Sequence, residues 1–371
     1  MRAETPLQET GRDGTVRWDE ELGVWVVSGY DEVRAVLHGT GWSSDPGRAA
    51  GAPPELRELP QAILLFLDPP DHTRMRRLLG PAFAPRAVEA LRPRVREIVA
   101  AALTGLGDET DLLREVAYVV PVAVIAELLD VGPDGAELLL ETTPALAGML
   151  EPGAGPGELV AAAAAAAELT MFLTPLLAER RRRPGDDFIS AMLAVPDGLE
   201  LDEVAGTCVL LLAAGHETTA GLIANATLAL LRDREQIPHL LADPGRAVEE
   251  LLRVEGTVRR VQRVSVTGHE LGGHRIAAGE TVHLLLDEAS RSAGPMDLSR
   301  APLPHLALGG GLHYCLGAAL TRMEVAETLP EIFRRFPGMR LRSHAWREST
   351  SFHTLEELHV TGLMRTTDAG H

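Results

Sequence analysis

Apolar side chains recur with the 3.6-residue period of an amphipathic helix over most of the chain from residue 72 to residue 255. The pattern predicts helices over 72–79, 85–106, 112–129, 134–150, 158–183, 187–194, 203–233, 237–243 and 246–255. A short helix over 30–38 precedes them and a long one over 318–336 follows. The alanines at 161–167 have the best helix propensity of any residue, so they read as ordered helix rather than as a disordered tract. Strand signals are confined to 24–28, 262–266, 274–276, 281–286, 339–341 and 357–361, with turns at Gly272-Gly273 and Ala278-Gly279. Prolines mark loops over 46–60 and 68–70, because the residue before a proline is driven out of the helical region. The predicted class is mainly α with a small β subdomain.

Composition narrows the picture. The chain has 371 residues and no Ser/Gly-rich linker or compositional break, which favours one large domain. A formal net charge of −18 argues against nucleic acid and anionic membrane as general partners. Arg180-Arg181-Arg182-Arg183 is a local exception, read as a solvated helix C-terminus where cations suit the dipole. Two distant cysteines, Cys208 and Cys315, suit a reducing compartment better than a disulfide framework. Residues 1–16 are polar, and the apolar run 204–215 is cut short by His216 and Glu217, so a soluble, cytoplasmic protein is expected.

One segment carries candidate chemistry above the others. Cys315 lies in Leu308-Gly309-Gly310-Gly311-Leu312-His313-Tyr314-Cys315-Leu316-Gly317, between a glycine-rich loop and the start of a helix. A thiolate there would feel the positive helix end and unpaired N–H groups, which lower a cysteine's pKa. The glycines would let the backbone approach a flat ligand. A lone cysteine is more often a buried structural residue, but the surrounding glycines and histidine favour a metal-bound thiolate.

The run from His305 to Glu324 resembles the haem-binding signature of the cytochrome P450 monooxygenases, Phe-Gly-x-Gly-x-His-x-Cys-x-Gly followed by a long helix. Three further motifs stand in the family's order. Ala214-Gly215-His216-Glu217-Thr218-Thr219 is similar to the distal-helix motif, and Glu250-Leu251-Leu252-Arg253 matches Glu-x-x-Arg, followed by Arg263. Asp68-Pro69-Pro70-Asp71-His72-Thr73-Arg74-Met75-Arg76 resembles a motif of the soluble bacterial members. Alone, Glu-x-x-Arg is an ordinary helix spacing; four motifs in order are not chance.

The resemblance implies a triangular, helix-dominated haem-thiolate fold as one domain over 1–371. Its parts would be a strand-rich N-terminal region over about 16–60, a helical core over about 70–255, a β and haem-loop region over about 256–317, and a C-terminal helix and strands over 318–365. It implies haem b (Fe-protoporphyrin IX), with Cys315 as the iron ligand, whose thiolate donation favours O–O cleavage. Leu308, Gly309 and Gly317 belong to the loop around that ligand, and Ala214 and Gly215 to the distal wall. His72, Arg76, Arg263 and His313 stand where the family binds the haem propionates, which need cations or donors when buried. Glu250 and Arg253 would brace the proximal side, with Arg300 as a third member. Glu217 and Thr218 would be the catalytic pair, Thr218 hydrogen-bonding dioxygen and Glu217 relaying protons. The alternative for Thr218 is a bond back to the carbonyl of Ala214 that bends the helix; both readings stand.

Arg259 and Arg260 lie in the segment that in the family lines the pocket, and neighbours on a strand face opposite ways. At most one points inward, where it would take an anionic substrate group; the solvated-face reading is favoured. Three departures from the family pattern are present: Leu308 for phenylalanine, Ala289-Ser290-Arg291-Ser292 for Ala-Asn-Arg-Asp with a shortened loop onward to His305, and Glu255-Gly256 where a proline is usual. They bear on haem packing, haem retention and partner docking.

The implied activity is insertion of one oxygen atom from O2 into a C–H bond of a small organic molecule, a secondary metabolite above all. Electrons would come from a ferredoxin and its reductase, since the haem fold consumes the chain and no Gly-x-Gly-x-x-Gly dinucleotide motif is present. Substrate specificity would sit in the N-terminal loops and the 151–157 connection. One alternative keeps the fold and changes the outcome to coupling, desaturation or oxidation of a carrier-bound intermediate. Another is a non-catalytic haem-binding helper or sensor, disfavoured by the retained cysteine and acid–threonine pair.

Overall fold

The computed structural model describes residues 14–52, 64–146, 155–185, 187–194 and 200–363. Twelve helices are numbered here in chain order: α1 Tyr30–His38, α2 Asp71–Leu79, α3 Pro85–Ala102, α4 Val119–Leu129, α5 Gly132–Leu146 and α6 Pro156–Arg182. The series continues with α7 Phe188–Leu193, α8 Leu201–Arg232, α9 Ile237–Ala242, α10 Pro244–Glu255, α11 Leu286–Arg291 and α12 Ala318–Arg335. The strands are β1 Val16–Asp19, β2 Val24–Val27, β3 Trp42–Ser43, β4 Thr110–Asp111, β5 Arg260–Ser265, β6 His269–Leu271, β7 His274–Ile276, β8 Thr281–Leu285, β9 Arg340–Trp346 and β10 Leu355–Thr361.

Every helix expected from periodicity is present, with shifted ends. One difference has a physical cause. The expected helix over 112–129 is broken by a π-helical stretch, Leu113–Ala117, in which Tyr118 N–H reaches back to the carbonyl of Leu113. Pro121, which cannot donate, then occupies the first turn of α4, where no donor is needed. The end of the expected 134–150 helix, at 147–150, lies outside the described residues. Segment 286–291, read as the end of a strand and a loop, is the helix α11.

α8 is the spine of the molecule. It opens on a capping box, with the Glu200 N–H donating to the Glu203 carboxylate at 2.9 Å. Its apolar faces lie in the main core with α4, α5, α6, α10 and α12. Both α6 (over Gly157–Arg182) and α8 (over Glu203–Arg232) are long and apolar enough to cross a membrane, with 22% and 72% of their apolar 18-residue windows buried respectively. α6 shows Leu159, Val160 and Met171 on its surface. Its arginine-rich end is paired with carboxylates: Arg180 meets Asp130 and Asp187, and Arg183 meets Glu179.

A five-stranded sheet in the order β1-β2-β8-β5-β3 is antiparallel except for the parallel β2–β8 pair. It packs on α1 and α11 through a second apolar cluster that includes Val27, Val33, Val36, Val282, Leu284 and Leu306. A three-stranded sheet, β4-β10-β9, carries the C-terminal hairpin, and β6–β7 form a separate pair. β1, β3, β4 and β6 have no counterpart among the expected strands; all are short.

Candidate active site

The segment around Cys315 is built by its own backbone. Gly309 N–H donates to Leu306 O at 2.8 Å, and Cys315 N–H to Leu308 O at 2.9 Å, closing the loop ahead of α12. Gly309 and Gly311 take positive φ of 69° and 62°. Gly310 and Gly311 permit a close approach to α1. A Cβ on Gly311 would lie 2.0 Å from Leu37 O, and one on Gly310 2.8 Å from His38 Nε2. Leu308 packs at the edge of the main core.

Cys315 precedes Gly317, the residue flanking α12, and its sulfur accepts from the Gly317 N–H. The thiol is subject to opposing influences. Burial pushes the thiol up, and Gly317, Arg76 and Arg322 only partly oppose it. Both cysteines are free, and burial pushes the Cys208 thiol up to about 12.

His72, Arg76, Arg263 and His313 converge beside this loop from α2, β5 and the loop itself. The His72 and His313 rings lie 4.2 Å apart at 47°. Arg76 donates to Tyr314 O, and Arg263 Nη1 donates to Gln262 O at 2.7 Å. Burial and the neighbouring guanidiniums hold His313 down at about 3, and burial lowers Arg263 to about 10. His72 is 2% exposed, and among the described residues neither of its ring nitrogens has a hydrogen-bond partner. Buried donors without acceptors, beside two guanidiniums with no carboxylate partner among the described residues, fit a dianionic group such as a pair of propionates.

Glu250 and Arg253 form a buried bidentate pair at 2.8 Å in both bonds. Arg300 joins at 2.6 Å from Glu250 Oε1, as the sequence suggested. Arg253 also donates to the carbonyls of Ser290, Gly294 and Pro295. The Ser290 departure is absorbed locally, because its hydroxyl accepts from Leu306 N–H at 2.9 Å and ties α11 to the glycine loop. Glu249, which sequence reasoning passed over, takes Arg322 at 2.5 Å and His305 at 3.3 Å; these partners hold its carboxyl down at about 2. A cleft of about 410 Å³ beside the loop is lined by Tyr30, Arg34, His38, His305 and Tyr314.

On α8, Thr218 Oγ1 donates to Ala214 O at 2.8 Å, and Thr257 Oγ1 donates to Thr218 O at 3.1 Å. Gly215 lets α8 approach α4; a Cβ there would lie 3.2 Å from Ile125 Cδ1. Glu217 is 3% exposed and accepts from Arg347 Nη1 at 3.0 Å and Tyr118 Oη at 3.3 Å. Burial raises its pKa against the pull of both partners. His216 lies against Tyr118 with centroids 4.9 Å apart and rings tilted by 31°, and is lowered by burial to about 4. Arg259 reaches His353 Nδ1 at 2.9 Å, and Arg260 reaches Thr350 at 2.8 Å and His283 at 3.3 Å.

No family model matches the chain. The cytochrome P450 monooxygenase PikC of Streptomyces venezuelae is 36% identical over 360 residues, covering 92% of this chain and 83% of that protein. Nocardicin C N-oxygenase of Nocardia uniformis subsp. tsuyamanensis is also 36% identical, covering 97% and 94%. Among solved structures, P450BioI in complex with hexadec-9Z-enoic acid ligated acyl carrier protein superposes with a TM-score of 0.87 at 31% identity, covering 94% of each chain. The loop, the buried basic cluster and this extent of likeness agree: the chain belongs to the cytochrome P450 family, as a monooxygenase whose cofactor is haem b.

Proposed function

We propose that Cys315 is the iron ligand, that His72, Arg76, Arg263 and His313 hold the haem propionates, and that Glu217 and Thr218 serve the oxygen side. When bound, the haem supplies reductive activation of dioxygen, so that RH + O2 + 2 H⁺ + 2 e⁻ gives ROH + H2O. Cys315 is steadied by the Gly317 N–H and by Arg76 and Arg322. Leu308 and Gly309 close the loop over the ligand, and Ala214 and Gly215 form the distal wall. Thr218 can exchange its bond to Ala214 O for one to an incoming oxygen atom, and Glu217 can hold a proton at its carboxyl. The observation carrying this reading is the buried imidazole and guanidinium cluster beside the Cys315 loop, rich in donors and short of acceptors.

The electron donor is a ferredoxin with its reductase, working in the cytoplasm; the cleft beside the glycine loop is its entry side. The substrate is a small secondary metabolite. A second reading, oxidation of a carrier-bound intermediate, is supported by the likeness to P450BioI, whose solved complex contains an acyl carrier protein. Arg259 and Arg260 are each directed at other protein groups, which supports a neutral rather than an anionic substrate head.

Reduced holoprotein with carbon monoxide is expected to show the red-shifted Soret band of thiolate ligation, and Cys315→Ser to lose it. Retention of that band and of substrate oxidation in Cys315→Ser would overturn the assignment.

A further inference from the structure

Glu217, Gly221 and Asn225 are spaced by four and so share one face of α8. The connection between β9 and β10 runs along that face. Arg347 meets Glu217 at 3.0 Å; a Cβ on Gly221 would lie 2.6 Å from Thr354 Cγ2; Asn225 Nδ2 donates to His353 O at 2.7 Å. The same connection is closed on itself by Arg347 N–H to Thr354 O at 3.0 Å, and anchored by His353 N–H to Thr257 O at 2.7 Å. Thr257 in turn holds the carbonyl of Thr218. The Glu217 carboxylate and, through Thr257, the Thr218 carbonyl are therefore both tied to the C-terminal hairpin, by separate contacts.

We propose that Arg347 is a positioning residue for proton delivery: from the hairpin it fixes the Glu217 carboxylate on the hairpin face of α8 and links it to solvent. This inference rests on the monooxygenase reading and extends it. Glu217 is nearly inaccessible, whereas the Arg347 side chain is 35% exposed, so the guanidinium joins the carboxylate to water. The groups facing Glu217 are few. Arg347 comes from the hairpin and Tyr118 from the end of the π-helical stretch; His216 on α8 and Arg114 act on Tyr118. Of these, Arg347 most strongly opposes the upward push of burial on the Glu217 carboxyl. Removing its cation sends that carboxyl further up; lysine keeps the charge without the planar fork.

The test uses ferric holoenzyme of wild type, Arg347→Met and Arg347→Lys. The infrared band of the protonated Glu217 carboxyl, identified by its disappearance in Glu217→Gln, is followed from about pH 5 to 9 in each. In Arg347→Met its midpoint is expected to rise by about one pH unit or more, and in Arg347→Lys to return most of the way to wild type. Oxygen uptake without substrate, driven by NADPH through spinach ferredoxin and its reductase, is expected to have its pH midpoint displaced likewise. An unmoved midpoint in Arg347→Met, an equal displacement in Arg347→Lys, or no titrating Glu217 band in wild type would overturn the proposal. The reduced carbon monoxide spectrum, recorded on the same samples, reports separately on the haem-thiolate assignment.

Discussion

Glu250 and Glu217 are both buried carboxylates facing an arginine, yet they are held in opposite ways. Glu250 receives Arg253 through two bonds, Arg300 through a third and the Asp297 N–H at 3.0 Å, and these donors bring its pKa below the usual range despite burial. Its partner Arg253 is itself enclosed and saturated with carbonyls. Glu217 has one guanidinium and one phenol, both on the same oxygen, and burial wins. A carboxylate that cannot pick up a proton near neutral pH serves architecture; one balanced between burial and a single cation can trade protons. Glu324, on α12, is the limiting case. Its Oε2 has no partner among the described residues, and burial pushes it up to about 8.

Breaking the saturated member has the largest expected effect. Glu250→Ala leaves Arg253 charged and enclosed, at a cost of about 3–5 kcal/mol in urea unfolding, and haem content should fall with it. Next comes Glu324. Its folded pKa is raised from 4.5 to about 8, so the folded state keeps a proton that the unfolded chain releases. Stability is therefore unpenalised below pH 4.5 and falls as pH rises towards 8. Glu324→Met should flatten that decline by about 3 kcal/mol between pH 5 and 8, measured by unfolding midpoints across pH. The smallest effect on stability is expected at Glu217. Glu217→Gln should change it by no more than about 1 kcal/mol, since Arg347 keeps its access to water, while turnover falls about 10²-fold. A Glu217→Gln variant destabilised as much as Glu250→Ala would erase the distinction.

The parts of the site set by helical or loop spacing were legible in the sequence. Glu250 and Arg253 are one turn apart, Glu217 and Thr218 sit in a continuous helix, and Cys315 follows its glycines directly. Arg300 was reached because it lies in a recognisable segment. What escaped is contact across the fold. Arg347 is 130 residues from Glu217 and sits in a strand connection with no periodicity to announce it. Tyr118 depends on a π-helical register that an apolar pattern does not reveal, because the same side chains would suit an α-helix. The burial of Cys315, which opposes the pull of Gly317, Arg76 and Arg322 on its thiol, is a tertiary property that the loop sequence does not carry.

The 2.0 Å separation between a Cβ at Gly311 and the Leu37 carbonyl makes the cofactor loop and the first helix one mechanical piece. Engineers seeking to alter the glycine loop should vary residues around that joint and leave position 311 alone. Even alanine there would pry the two apart, and the sulfur's seat would travel with them.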